Sequence, residues 1–236
     1  MKIHVYFLLF FLITVSSTFS QQIGFRTAFS FSTISGDITK DSPEFKEEIF
    51  TGFSIGYFLQ VPLSEKLDFM PEINYTQKGL QLSENDKKSI TGGFNYEILN
   101  RKAIRNFGYL EIPLLLNYNI GSIHLYSGPF GAYMLLSQRK DKVLLLMHHN
   151  GGESGNYSTN YKKIASISTK EGVNDFDAGF IAGLKINISR KILFEARFTK
   201  GLVNVVDNIV PGGPYTNTSL QAGLNFIPVF KRAETK

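Results

Sequence analysis

The sequence predicts an all-β fold, specifically an eight-stranded antiparallel up-and-down transmembrane β-barrel, on three observations. Segment after segment alternates bulky apolar residues with small or polar ones at a period of two, the mark of a strand with two unlike faces. The links between these segments alternate short and long, as in membrane barrels with tight turns at one rim and long loops at the other. The chain also opens on a brief apolar run behind a basic residue, the pattern of an export signal.

Composition narrows the class without settling it. A chain of 236 residues fits one domain. The 21 Phe, 11 Tyr and 21 Gly suit strands and their close approaches. The formal charge of +5 comes from scattered basic residues, with no run resembling a nucleic-acid arm, so no nucleic-acid partner is expected. Cysteine is absent, which excludes disulfides, thiolate nucleophiles, cysteine-based metal sites and a lipid anchor on an N-terminal cysteine.

Lys2 and His4 precede an apolar run over residues 5–15, followed by Ser16, Ser17, Thr18, Phe19 and Ser20. Thr18 and Ser20 supply the two small positions of a cleavage site before Gln21, giving a signal peptide over 1–20 and an outer-membrane barrel domain over 21–236. The apolar run is too short for a helical span of about 20 residues, and no later stretch approaches that length.

From Ile23 onward the strands follow in order. In the first, Ile23, Phe25, Phe29 and Phe31 oppose Gly24, Arg26, Ala28, Ser30 and Ser32. The second, residues 51–61, sets Phe53, Ile55, Tyr57, Leu59 and Val61 against Gly52, Ser54, Gly56 and Gln60; Phe58 breaks the pattern. A short turn over 62–66 leads to the third, with Leu67, Phe69, Ile73 and Tyr75 opposite Asp68, Glu72, Asn74, Thr76 and Lys78. Residues 79–106 read as a polar loop. The fourth strand, 107–119, places Leu110, Ile112, Leu114, Leu116 and Tyr118 opposite Glu111, Pro113 and Asn117, before a tight turn at 119–122.

The fifth strand, 123–136, alternates too poorly to be oriented. Residues 137–174 read as the longest loop. In the sixth strand Phe176, Ala178, Phe180, Ala182, Leu184 and Ile186 oppose Asp177, Gly179, Gly183, Lys185 and Asn187. Residues 189–191 turn it into the seventh, where Ile192, Phe194, Ala196 and Phe198 oppose Glu195, Arg197 and Thr199. A loop containing Pro211, Gly212, Gly213 and Pro214 precedes the eighth, with Leu220, Ala222, Leu224 and Phe226 opposite Gln221, Gly223 and Asn225.

Alternation does not say which face points inward. A soluble ligand-binding barrel would bury the Phe/Ile/Leu face. That face carries too much volume for an eight-stranded interior, and the opposite face is Gly, Ser and Asn with scattered charges rather than a Lys/Glu-rich surface. The membrane orientation is therefore expected, in the cell outer membrane and in contact with its lipid. A strand of about 11 residues tilted near 40° rises roughly 28 Å, enough for an apolar band of about 25 Å.

Several stretches resemble the PorT-like outer-membrane β-barrel family of Bacteroidetes-type bacteria. They are Pro71-Glu72-Ile73-Asn74-Tyr75-Thr76-Gln77-Lys78-Gly79, Tyr109-Leu110-Glu111-Ile112-Pro113-Leu114-Leu115-Leu116, Ser127-Gly128-Pro129-Phe130-Gly131-Ala132-Tyr133, and Leu193-Phe194-Glu195-Ala196-Arg197-Phe198-Thr199-Lys200-Gly201-Leu202. The resemblance spans the mature chain and implies an outer-membrane barrel. One named type in that family assists type IX protein secretion, which implies envelope or secretion-machinery partners.

In the membrane orientation the inward face gathers Arg26, Glu72, Glu111, Asp177, Lys185, Glu195 and Arg197. Charges in so narrow a space need partners of opposite sign, so a charge network filling the interior is expected, with a gated ion path as the sharper alternative. No nucleophile accompanies these carboxylates, so no catalytic residue is assigned. His148 and His149 lie in the predicted long loop with no third ligand, and residues 151–156 lack the Lys that follows a phosphate loop. His124 is the only strand histidine and has no evident catalytic partner. No metal or cofactor is expected. The expectation is a monomeric, non-enzymatic barrel with a structural, assembly or interaction role through its long outer loops; the alternatives are a small-solute pore, a membrane-embedded lipid enzyme and a secreted soluble binding barrel.

Overall fold

The computed structural model describes residues 21–36, 45–84, 88–90, 95–149, 157–168, 170, 172–205 and 214–228. The predicted signal peptide, the glycine-rich 151–156 and most of the predicted loop around 206–213 lie outside these residues. The described chain is all-β and antiparallel. Its strands are β1 (Gln22–Ser35), β2 (Phe45–Glu48), β3 (Phe50–Pro62), β4 (Leu67–Glu84), β5 (Lys88–Ile90), β6 (Asn95–Ile120), β7 (Ile123–His149), β8 (Tyr157–Ser168), β9 (Phe176–Asn187), β10 (Ile192–Gly201) and β11 (Thr216–Phe226).

Eleven strands replace the expected eight, and the three additions are of one kind. β2 pairs only with β4, β5 only with β6 and β8 only with β7. Each of the other strands has two neighbours among themselves, and β4, β6 and β7 carry the additions as third partners. Their pairing runs β1–β3–β4–β6–β7–β9–β10–β11 and returns from β11 to β1. Among the described residues each of these eight strands is therefore paired on both sides, which leaves edges only at β2, β5 and β8.

Two loop predictions are corrected. Residues 79–106, read as a polar loop, carry the end of β4 and the first half of β6, paired from Gly79 with Asn106 to Glu84 with Arg101. Residues 137–174, read as the longest loop, hold a β7–β8 hairpin paired from Gln138 with Ser168 to His149 with Tyr157. His148 and His149 therefore sit on a paired strand rather than in a loop. These extensions satisfy their backbone groups by pairing, and their sequence lacks the apolar alternation that marks the other strands.

Within the circuit the alternation acts as expected. Phe29, Ile55, Ile112, Phe180, Phe198 and Leu224 point outward and are exposed, whereas Arg26, Ser54, Asn74, Thr76, Glu195 and Asn225 point inward and are fully buried. The fifth predicted strand can now be oriented: Tyr126, Phe130, Ala132 and Met134 face inward, and Leu125, Tyr133 and Leu135 face out. Phe58 also turns inward, because Gly24 beside it leaves room; a Cβ there would lie 2.0 Å from the Phe58 ring.

The interior is layered. At the end bearing the long links, Ile34, Phe107, Met134, Val173, Val205 and Tyr215 form a buried apolar cap. Backbone bonds hold the links over it, Met134 N to Asp175 O (2.7 Å), Asn174 N to Val205 O (2.8 Å) and Val205 N to Tyr215 O (2.7 Å). Beneath the cap lies the polar interior.

Candidate functional site

The middle of the interior holds two groups of charges. The first centres on Glu195 of β10, one strand position from Arg197 on the same face. Arg197 donates from Nη2 to Glu195 Oε1 (2.8 Å) and, from Nη1 and Nη2, to Glu72 Oε2 and Oε1 across the interior (2.9 and 2.8 Å). That two-point grip of a planar guanidinium on a carboxylate is the strongest geometry such a pair adopts. Arg26 on β1 donates from Nε to Glu195 Oε2 (3.1 Å). The Tyr126 hydroxyl donates to Glu195 Oε1 (2.5 Å), and it reaches that position because residue 183 is glycine: a Cβ there would sit 2.4 Å from the hydroxyl.

The second group centres on Lys78, which ion-pairs with Glu111 (2.5 Å) and more loosely with Asp177 (3.7 Å). Its ammonium also lies 4.6 Å from the centre of the Phe130 ring and 5.5 Å from that of Tyr109. Asn217 Nδ2 donates to Asp177 Oδ2 (2.9 Å).

Hydroxyls join the two groups. Arg26 Nη1 donates to Ser54 Oγ (2.8 Å), Ser54 Oγ lies 2.9 Å from Thr76 Oγ1, and Thr76 Oγ1 donates to Glu111 Oε2 (2.9 Å). Because Thr76 spends its hydrogen on Glu111, Ser54 must donate to Thr76. The dipoles thus run in one direction, from Arg26 to Glu111.

Residues 19–207 match the model of a family described as the outer membrane protein beta-barrel domain. The chain belongs to this family. It is an outer-membrane protein. No curated protein matches it. Among solved structures it is similar to Neisserial surface protein A (9% identity, TM-score 0.34, covering 86% of this chain and 96% of that one). It is also similar to the attachment invasion locus protein Ail of Yersinia pestis, solved with the heparin analogue sucrose octasulfate (12% identity, TM-score 0.36, covering 88% and 97%). A third likeness is to OprG from Pseudomonas aeruginosa (12% identity, TM-score 0.30, covering 89% and 94%).

In this outer-membrane barrel domain all seven charges expected on the inner face are buried, each at most 4% exposed. Six join the two ion-paired groups. Lys185 does not: among the described residues it has no salt-bridge partner, and its ammonium lies against the Met70 sulfur (3.1 Å) and above the Phe58 and Tyr126 rings (4.4 and 5.2 Å to their centres). Lys78, placed on the inner face by alternation but not counted among the network's charges, proves to be the hub of the second group. Its parity with Glu72 was the available signal. Tyr126 and Phe58 were hidden, the first by an unoriented strand and the second by an apparent break in alternation.

At the end bearing the short turns, Asp68 Oδ2 accepts from the side-chain amides of Gln60 (2.7 Å), Asn117 (3.0 Å) and Asn119 (2.8 Å). His124 Nδ1 faces Asn119 Oδ1 (2.5 Å), and its Nε2 faces Asn187 Oδ1 (3.0 Å). Among the described residues no group of three His, Cys, Asp or Glu side chains is arranged to hold a metal.

Proposed function

We propose that the chain is a closed eight-stranded up-and-down transmembrane barrel with an occluded interior, acting as a non-enzymatic interaction or assembly protein of the envelope. The observation that carries this reading is the contrast between a filled middle and projecting hairpins. Arg26 and Arg197, the bulkiest side chains of the interior, are at most 1% exposed, and the apolar cap lies above them. β11 has 11 residues, while β6 has 26 and β7 has 27. At about 3.3 Å per residue and a tilt near 40°, the short strand covers roughly 28 Å and the long pair roughly 65 Å. An apolar band of about 25 Å absorbs the first and leaves some 40 Å of β6 and β7 outside.

That projecting sheet carries exposed Lys140 and Lys142 on β7 and exposed Ile164 and Ile167 on β8. Mixed apolar and cationic surface on a paired, rigid sheet suits protein recognition. Envelope or secretion-machinery proteins, the partners that the PorT-like resemblance implies, would meet the barrel there, and the barrel itself would act as a monomeric anchor after removal of its signal peptide.

Two measurements test this reading. The refolded protein in a planar bilayer is expected to give no stable single-channel current; steady currents altered by Glu195→Gln would overturn the occluded interior. A photo-crosslinker placed at Ile164 or Lys140 in cells is expected to capture a discrete protein partner, whereas one at Leu224 captures only lipid. Identical patterns from both positions would remove the case for the hairpins.

A further inference from the structure

Lys185 is the one buried cation of the interior without a carboxylate ligand among the described residues, and it borders a cavity. Both carboxylates of its layer are committed elsewhere: Glu72 to Arg197, and Glu195 to Arg197 and Arg26. With Asp68 at the rim this half of the interior holds three cations and three carboxylates, but among the described residues none of the carboxylates is within salt-bridge distance of Lys185. A lysine 3% exposed, whose ammonium contacts a thioether and two ring faces with Glu195 and Glu72 acting on it only from further off, is poorly solvated as a cation unless an anion completes its shell.

The cavity beside it has a volume of about 160 Å³ and opens at the short-turn end. Gln60, Asn117, His124, Asn187 and Arg190 line it along with Lys185. At roughly 30 Å³ per water molecule, the space holds about five waters, or an anion of phosphate size. The donors are of the right kind. Asn119 must present Oδ1 to His124, because its Nδ2 is already given to Asp68, so His124 Nδ1 carries a hydrogen. With that hydrogen on Nδ1, the Nε2 of a neutral His124 is an acceptor, so the donors left for an anion are the Asn187 side-chain amide, Arg190 and Lys185. Asp68 is the carboxylate of this rim, and three amides already saturate its Oδ2.

We infer that this cavity is a binding site for a small oxyanion, a phosphate or a carboxylate, with the Lys185 ammonium as its charged contact and Arg190 at its mouth. The site lies on the short-turn side of the ion-paired middle, so its failure would leave the occluded interior untouched, and the reverse holds as well.

The Met70 sulfur touching Lys185 provides the reporter. With ¹³C-methyl methionine incorporated into the refolded full-length mature protein, sodium phosphate and sodium acetate are titrated separately at constant ionic strength, with chloride as the replaced ion. The expected result is a saturable displacement of the Met70 methyl signal with phosphate, acetate or both, while Met134, buried in the cap at the other end, stays still. A phosphate response alone identifies phosphate as the ligand chemistry; an acetate response extends it to carboxylates. Lys185→Gln is expected to weaken the response about tenfold or more, and Lys185→Arg to retain it. The inference fails if neither anion moves the Met70 signal, if Met70 and Met134 move together, or if Lys185→Gln responds like the parent. Should Lys185→Gln not fold, Arg190→Ala, on an exposed turn, takes its place, with a weakened response expected and an unchanged one counting against the site.

Discussion

Removing the Glu195 carboxylate tests whether the buried network holds this barrel together. Its two oxygens accept from Tyr126 (2.5 Å), Arg197 (2.8 and 3.2 Å), Arg26 (3.1 Å) and Asn225 (3.2 Å). In Glu195→Ala, Arg197 keeps its paired bonds to Glu72. Arg26 keeps only neutral acceptors, Ser54 Oγ and Gln221 Oε1, and becomes a fully buried cation with no ion-pair partner among the described residues. Breaking a buried pair from one side costs about 3–5 kcal/mol. At about 1.4 kcal/mol per factor of ten, that lowers the folding equilibrium roughly a hundredfold to several thousandfold. The assay is reversible folding from urea into phospholipid vesicles, with the folded fraction read from heat-dependent gel mobility. Glu195→Ala paired with Arg26→Met should cost less than the sum of the single changes, by about 0.5–3 kcal/mol. A Glu195→Ala protein within about 0.5 kcal/mol of the parent, the range of an ordinary surface change, would refute the claim that these ion pairs stabilise the barrel.

The same folding assay checks three further expectations. Phe29→Arg places a charge on an outward position that is 66% exposed and should cost about 2–4 kcal/mol if that position lies near the bilayer centre; a neutral result would mean that the face meets water. Gly183→Ala would bring a Cβ to 2.6 Å from Ala196 O as well as against the Tyr126 hydroxyl, and a loss of about 1–3 kcal/mol is expected. Gly131→Ala, with nothing within 4 Å, should be neutral, and equal effects at the two glycines would discredit the packing account. Because the chain has no cysteine, single replacements report exposure cleanly: a spin label on Leu224→Cys should be relaxed by a lipid-soluble reagent, while Thr199→Cys, 1% exposed, should resist aqueous modification. The opposite pattern would turn the barrel inside out.

What was legible in the sequence was whatever lipid dictates. Where a strand crosses hydrocarbon, its outward residues must be apolar and its inward ones face a polar interior, so the alternation of β1, β9, β10 and β11 could be read directly. Outside the bilayer the constraint lapses. In the proposed placement the upper halves of β6 and β7 lie outside the bilayer, where pairing rests on backbone bonds and needs no apolar alternation, so residues 79–106 and 137–174 read as loops. β7 was illegible for a different reason. Its inward Tyr126, Phe130 and Met134 are as apolar as its outward Leu125, Tyr133 and Leu135, since Phe130 and Tyr126 supply ring faces to Lys78 and Lys185. A bulge where Gly108 and Tyr109 meet Leu136 and Met134 then shifts the parity of the remainder. A cation–π partner looks like an error of pattern until the cation is found.

The distribution of charge explains why the interior tolerates ions at all. The two ion-paired groups and Lys185 together hold four cations, Arg26, Lys78, Lys185 and Arg197, and four carboxylates, Glu72, Glu111, Asp177 and Glu195. Asp68 and Glu84 are buried as well, so among the described residues six buried carboxylates face four buried cations. The lower layer sets Arg26, Arg197 and Lys185 against Glu72, Glu195 and Asp68, and the upper layer sets Lys78 against Glu111 and Asp177. Between them the Ser54 and Thr76 hydroxyls point their dipoles from the Arg26 guanidinium toward the Glu111 carboxylate. Turning any strand by one residue would break this arrangement, because a period of two exchanges every inward charge for an outward Phe, Leu or Ile. The hydrocarbon outside and the ion pairs inside therefore select the same register for independent reasons, and agreement between two such constraints is what lets a sequence of ordinary composition commit to a membrane fold.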